Sequence, residues 1–174
     1  MPRPVEITRW VPDDNAGIRL IVREHMIPRI RESIHLSHIA LFVNAFQRQT
    51  QQQEAEALFY WVRGHMLYTP DPPDEELIKW PSVIMDEIRR LGRALGDCDD
   101  YVMLLATLTH ARGIPTRLVV IARKFLDDGA GQCQLDHIYL SLNLDGAWMP
   151  VDPTGEVAFG WEYEHVYRRE EFDV

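Results

Sequence analysis

The sequence predicts an α+β fold, with a helix-rich N-terminal half packed on an antiparallel β-sheet. Three observations carry that prediction. Apolar residues recur at helical spacing through the first two thirds of the chain; a glycine and a proline at Gly113 and Pro115 stop the last helical pattern; and short β-branched runs follow from Thr116 onward. At 174 residues and 46% hydrophobic content, the chain falls in the range of one domain that buries its own core. We read 1–174 as that single domain, with 1–57 a helical N-terminal extension and 58–155 the core that carries the chemistry.

A short extended start is expected over Val5 to Val11. From Asn15 to His65 the pattern is mainly helical, as in Ile34, Ile39, Leu41 and Phe42, with Pro28 expected to break or kink it. Thr50 and Gln53 form a capping-box pattern ahead of Ala57, Leu58, Trp61 and Val62, predicting a helix over 51–66. Its aromatic group Phe59, Tyr60 and Trp61 is assigned to the core. Tyr68 to Pro73, with three prolines and an aspartate, reads as a connector. Pro81 and Ser82 open a helix running through Ile84, Ile88 and Leu91 that ends near Gly92 to Gly96, with Arg89, Arg90 and Arg93 on a solvated face.

The next segment has the clearest signals. Asp97 precedes Cys98, and the run through Tyr101, Leu104, Leu105 and Leu108 to Arg112 has an acidic start, a basic end and a glycine stop, so Cys98 falls in the first turn of a helix. Arg117 to Ala122, His137 to Leu144, Trp148 to Asp152 after the Asp145-Gly146 turn signal, and Tyr163 to Arg168 are the expected strands.

Charge and composition exclude several functions. With 18 basic against 27 acidic residues the net charge is -9, which repels phosphate backbones and anionic lipid, so neither nucleic acid nor membrane is an expected partner. The longest apolar stretch, Ile39 to Phe46, falls far short of a span, and the N-terminus lacks a signal-peptide core; a cytoplasmic location is expected. Two cysteines, Cys98 and Cys133, make no disulfide framework and no metal-ligand spacing, and Cys133 reads as an incidental free thiol. His35 and His38 lack neighbours to complete a ligand set; no metal or cofactor is expected.

A cysteine attacks as thiolate, and a helix N-terminus favours that anion through its unpaired N–H groups. Asp97, Asp99 and Asp100 oppose it, so a histidine partner is required. His137 on a strand and Asp152 at the end of the next, joined by a tight turn, come roughly opposite each other and supply base and orienter. We expect Cys98, His137 and Asp152 to form a catalytic triad.

Gly96-Asp97-Cys98-Asp99-Asp100, then Arg112-Gly113-Ile114-Pro115-Thr116-Arg117, then His137-Ile138-Tyr139 and Trp148-Met149-Pro150-Val151-Asp152-Pro153-Thr154 resemble the core of the transglutaminase-like superfamily, over about residues 58–155. The resemblance implies a papain-like fold in which the cysteine helix packs on the sheet bearing histidine and aspartate. It also implies acyl chemistry through a thioester on a peptide or protein amide, hydrolysis being favoured over cross-linking. Calcium activation, a property of animal cross-linkers with extra domains, is not expected. No upstream side chain matches the second oxyanion donor, which leaves the Cys98 N–H. The competing expectation is a catalytically inactive member of the fold serving as a structural or interaction module. Oligomeric state is not legible.

Overall fold

The computed structural model describes residues 6–8, 15–72, 76–125 and 133–174. Val5, Arg9 to Val11, Pro73 and the acidic-glycine connector Asp127 to Gly131 lie outside them.

Strand β1 (Glu6–Thr8) precedes a helical run made of α1 (Asn15–Leu20), a π-helical stretch Ile21–Met26 and α2 (Ile27–Ser33). Pro28 was expected to interrupt this run. It sits in the first turn of α2, and the wider π stretch directly before it accommodates a residue that has no N–H and whose ring crowds the carbonyl four residues back. Helices α3 (Ser37–Asn44) and α4 (Gln51–His65) follow, and the Thr50 hydroxyl caps α4 by accepting from Gln53 N at 3.2 Å.

Of the aromatic group on α4, Phe59 is buried and Trp61 packs at the core's edge, but Tyr60 is exposed, being on the opposite face of the helix from Leu58 and Val62. Strand β2 (Met66–Tyr68) pairs in parallel with β4 (Ala94–Gly96), and β3 (Glu76–Ile78) pairs with β1. The three-residue strands β2, β3 and β4 give no periodic signal and were missed in the sequence, whereas β1 falls within the extended start expected over Val5 to Val11. Helix α5 (Pro81–Leu91) ends on Gly92, whose φ of 80° is the left-handed cap conformation, and Arg89, Arg90 and Arg93 are exposed as expected.

Helix α6 (Cys98–Ala111) is the centre of the domain. It is buried continuously from Asp100 to Thr109 and touches α2, α3, α4 and α5 on one side and the sheet on the other. A helix enclosed on all sides must be apolar all round, which is why Val102 to Ala106 shows no polar stripe. Its two buried threonines return their hydroxyls to the helix, Thr107 to Met103 O at 2.8 Å and Thr109 to Leu105 O at 2.9 Å.

The four-stranded antiparallel sheet has the order β7-β6-β5-β8, from β5 (Thr116–Ala122), β6 (His137–Leu144), β7 (Ala147–Val151) and β8 (Arg168–Asp173). Leu118, Val120, Ile138, Leu140 and Leu142 point into the main core. Val119, Ile121 and Tyr139 form a small cluster on the other face. The last strand therefore differs from the sequence expectation of Tyr163 to Arg168. Tyr163 and Val166 pack over that outer cluster as irregular chain, and the strand is the charged edge segment that follows. An edge strand needs backbone pairing and salt bridges rather than apolar alternation, and Arg117 bonds Asp173 at 2.7 Å and Glu171 at 3.2 Å across the pair.

Candidate active site

Asp97 starts α6 with its side chain accepting from the Asp99 N–H at 3.1 Å, and the parallel pair β2–β4 leads the chain into that cap through Gly96. The helix start is pressed tightly against β4. A side chain at Gly96 would place its Cβ 2.5 Å from the Cβ of Asp100, so only glycine fits. Cys98 is thus held at the first position of α6, where its thiol donates to Asp99 Oδ1 at 3.7 Å and the N–H of Ile138, the residue after His137, is near enough to favour negative charge on the sulfur.

His137 opens β6 and is buried. The β6–β7 ladder pairs Leu140 with Val151, so Asp152, one step past β7, is on the same face as His137 but two positions along the ladder. The two residues are therefore diagonal rather than opposite, and the side chains bridge the offset, with His137 Nε2 at 2.8 Å from Asp152 Oδ2. Thr154 donates both its N–H and its hydroxyl to Asp152 Oδ1, at 2.9 and 2.6 Å, and Tyr163 donates its hydroxyl to Oδ2 at 2.7 Å. Burial works against charge on Asp152, but the His137 bond and the Thr154 donors outweigh it and hold the carboxyl at about 2. An ionised carboxylate accepts, so Nε2 carries the ring proton and Nδ1 is the basic nitrogen.

Cys98 and His137 line one cavity of about 290 Å³, whose other walls include Val120, Leu135 and Ile138 from the sheet side and Ile18, Ile21, Val22 and Met26 from the N-terminal helical run. That run is fastened across the site at two places. Asn15 exchanges bonds with Cys133 O and Leu135 N at 2.9 and 2.8 Å, and Arg19 forks onto Glu170 with two bonds of 2.7 Å.

The remaining wall is acidic. Glu76, Asp97, Asp99 and Asp136 line the cavity, and oxygens of Asp71, Glu76 and Asp97 lie within 4.8 Å of one another. Burial, then the neighbouring Asp71 and Glu76, push Asp97 up to about 7; burial pushes Asp100 up to about 8, although the Lys79 N–H opposes it. The thiol follows the same physics. Burial, then Asp99 and Asp97, raise Cys98 well above the ordinary thiol range, and the Ile138 N–H offsets only part of this. The flanking aspartates oppose the helix dipole as the sequence indicates, and desolvation, which the sequence does not show, adds to them and is the largest influence. Among the described residues, Asp97-Cys98-Asp99 and Asp71-Glu76-Asp97 are the groups spaced to hold a cation, and the second is an all-oxygen set of the kind hard divalent ions prefer.

Of the residues the sequence singled out, Cys98 and His137 line the same cavity and Asp152 bonds His137 from beside it, while the Cys98 thiol itself donates to Asp99 Oδ1 at 3.7 Å. The sequence missed Tyr163, Glu76, Asp71 and the cover from Ile18 to Met26. Thr154 had a local signal, a threonine two residues after an aspartate. The others have none, because separations in sequence say nothing about which loop crosses which face.

No match was found among curated proteins. Among solved structures, a candidate protease from Parabacteroides distasonis aligns with a TM-score of 0.56 at 15% identity, over 72% of this chain and 25% of that one. A candidate cysteine protease from Cytophaga hutchinsonii aligns at 0.48 and 18%, over 84% and 45%, and the periplasmic domain of TgpA from Pseudomonas aeruginosa at 0.47 and 20%, over 75% and 50%. The chain thus spans a quarter to a half of the length of these structures, and the first shares its fold. No described helix is long and apolar enough to cross a membrane. The family model of the transglutaminase-like superfamily matches residues 42–153, which include the cysteine helix, the histidine strand and the aspartate, and the chain belongs to that superfamily.

Proposed function

We propose that the chain is a cysteine-nucleophile enzyme that cleaves a peptide-like amide through a thioester, with Cys98 as nucleophile, His137 as general base and acid, and Asp152 as the group that orients the imidazole. The observation that supports this most is the 2.8 Å bond from His137, which lines the same cavity as the thiol, to a carboxylate held ionised. Because the resting thiol is protonated, ionisation accompanies attack. Sγ bonds to the carbonyl carbon as His137 Nδ1 takes its proton, and the Cys98 N–H at the helix start donates to the oxygen that gains charge. The imidazolium then protonates the amine as the C–N bond breaks. Water, deprotonated by the same nitrogen, releases the acid and restores the thiol.

The carboxylates on the cavity wall disfavour a substrate with negative charge next to the scissile amide and favour an uncharged or cationic one. The same carboxylates raise the thiol, and that observation favours the inert-module reading. One experiment separates the two. In a Cys133→Ser background, iodoacetamide alkylation of Cys98 is followed near neutral pH with and without His137→Ala, and hydroxylamine is added with a pool of peptide amides to trap acyl-enzyme as hydroxamate. The enzyme reading expects a loss of alkylation rate of about tenfold or more in His137→Ala and hydroxamate that vanishes in Cys98→Ala. Equal alkylation rates and no hydroxamate leave the module.

A further inference from the structure

We infer that Tyr163 is a positioning residue of this site, acting through Asp152 to set both the direction and the strength of its bond to His137. The inference rests on the triad reading above and assigns a role to a residue outside the triad. The Tyr163 hydroxyl meets the same carboxylate oxygen, Oδ2, that His137 occupies, at 2.7 Å against 2.8 Å, while Thr154 fills Oδ1. With donors on both oxygens the carboxylate cannot rotate, and the lone pair left for Nε2–H has one direction. The ring takes part as well. Tyr163 stands edge-on to the imidazole with centroids 5.5 Å apart, and Trp161 and Tyr139 hold it in turn at 4.6 and 5.6 Å.

Arg123 adds a charge beside this chain of bonds. Its guanidinium pairs with Asp136 at 3.1 Å, and Asp136 lines the cavity beside His137. The cation is near enough to Tyr163 to favour negative charge on its oxygen, which makes the hydroxyl a better donor to Asp152. Burial and the Asp152 bond keep the phenol protonated, so it acts as a fixed donor throughout the pH range of the site. Sharing Oδ2 makes the carboxylate a weaker acceptor for the imidazolium. Tyr163 therefore moderates how firmly His137 keeps the proton it takes from the thiol, which matters for a residue that must give that proton up again.

The test uses the full chain carrying Cys133→Ser, so that Cys98 is its one thiol, and follows iodoacetamide alkylation across the acidic to alkaline range. The charged and titratable groups around His137 are Asp152 and Tyr163 on one side, Cys98, Asp97, Asp99, Glu76 and Tyr68 across the cavity, and Asp136 with Arg123 at the strand start. The variant Tyr163→Phe alters none of them but Tyr163 and keeps the packed ring. Its acid-limb midpoint rises by about 0.5–1 pH unit, a roughly three- to tenfold change in the protonation equilibrium. Fluorotyrosine placed at position 163, a stronger donor, moves the midpoint the other way. Opposite displacements establish the role. An unmoved midpoint in both, with His137→Ala still impaired, overturns it and leaves the triad intact; a profile indifferent to His137→Ala removes the triad and this role together. If Tyr163→Phe melts early, the fluorotyrosine protein decides alone, since it retains both hydroxyl and ring.

Discussion

Asp100 provides the sharpest test of the electrostatics around the helix start. It is 1% exposed, accepts one backbone bond from Lys79 N at 3.0 Å, and lies beneath Gly96. Burial pushes its carboxyl up to about 8, whereas the unfolded chain returns it to about 4. Between those values the folded protein binds a proton that the unfolded chain has released. Stability from this group is therefore fully present below about pH 4 and falls by about 1.4 kcal/mol for each pH unit until the folded carboxyl ionises near 8. Over the three units up to neutrality the loss is about 4 kcal/mol, on the order of half the stability of an ordinary domain. Asp97, raised to about 7, acts in the same direction over a slightly narrower window.

Asp100→Asn keeps an oxygen for the Lys79 N–H and cannot ionise. The variant should match the parent at about pH 4 and exceed it by about 2–4 kcal/mol at about pH 7. Urea denaturation at a series of pH values reads this directly as a midpoint difference that widens with pH. Denaturation midpoints that run parallel for the two proteins across that range would refute the claim that burial holds this carboxyl neutral.

Two further expectations concern the scaffold. Gly96→Ala drives a methyl to 2.5 Å from the Asp100 Cβ, the near end of a side chain that has no room to swing, so thermal melting should show a loss of about 2 kcal/mol or more. Glu54→Ala removes the partner of Arg112, which forks onto it at 2.9 and 3.0 Å where both side chains are mostly buried. Chemical denaturation should report a loss of about 3 kcal/mol, and Glu54→Gln a smaller one because it keeps an acceptor.

The parts of this protein that were legible in the sequence are those whose signal is local. Helix α6 announced itself by Asp97 at its cap, an acidic first turn and Gly113 after its end, and β5 and β6 by β-branched runs. These follow from backbone sterics and orphan helix-end groups, which act within a few residues. The strands β2, β3 and β4 escaped because three residues are too few for a period, and β8 because its pairing rests on charges matched to Arg117 across the sheet.

By itself, then, the sequence determined an α+β layout, the helix that begins at Cys98, and the order in which thiol, imidazole and carboxylate appear along the chain. Tertiary structure alone decided the rest. The diagonal register that joins His137 to Asp152, the return of Tyr163 onto the same oxygen, the cover of Ile18 to Met26 and the gathering of Asp71 and Glu76 beside Asp97 all depend on long-range packing. The environment of Cys98 shows the difference most plainly. A helix start favours a thiolate by local dipoles and the flanking Asp99 and Asp97 oppose it, both readable along the chain, but the largest influence is burial, with Glu76 of β3 adding a smaller one, and these depend on which residues are near in the fold.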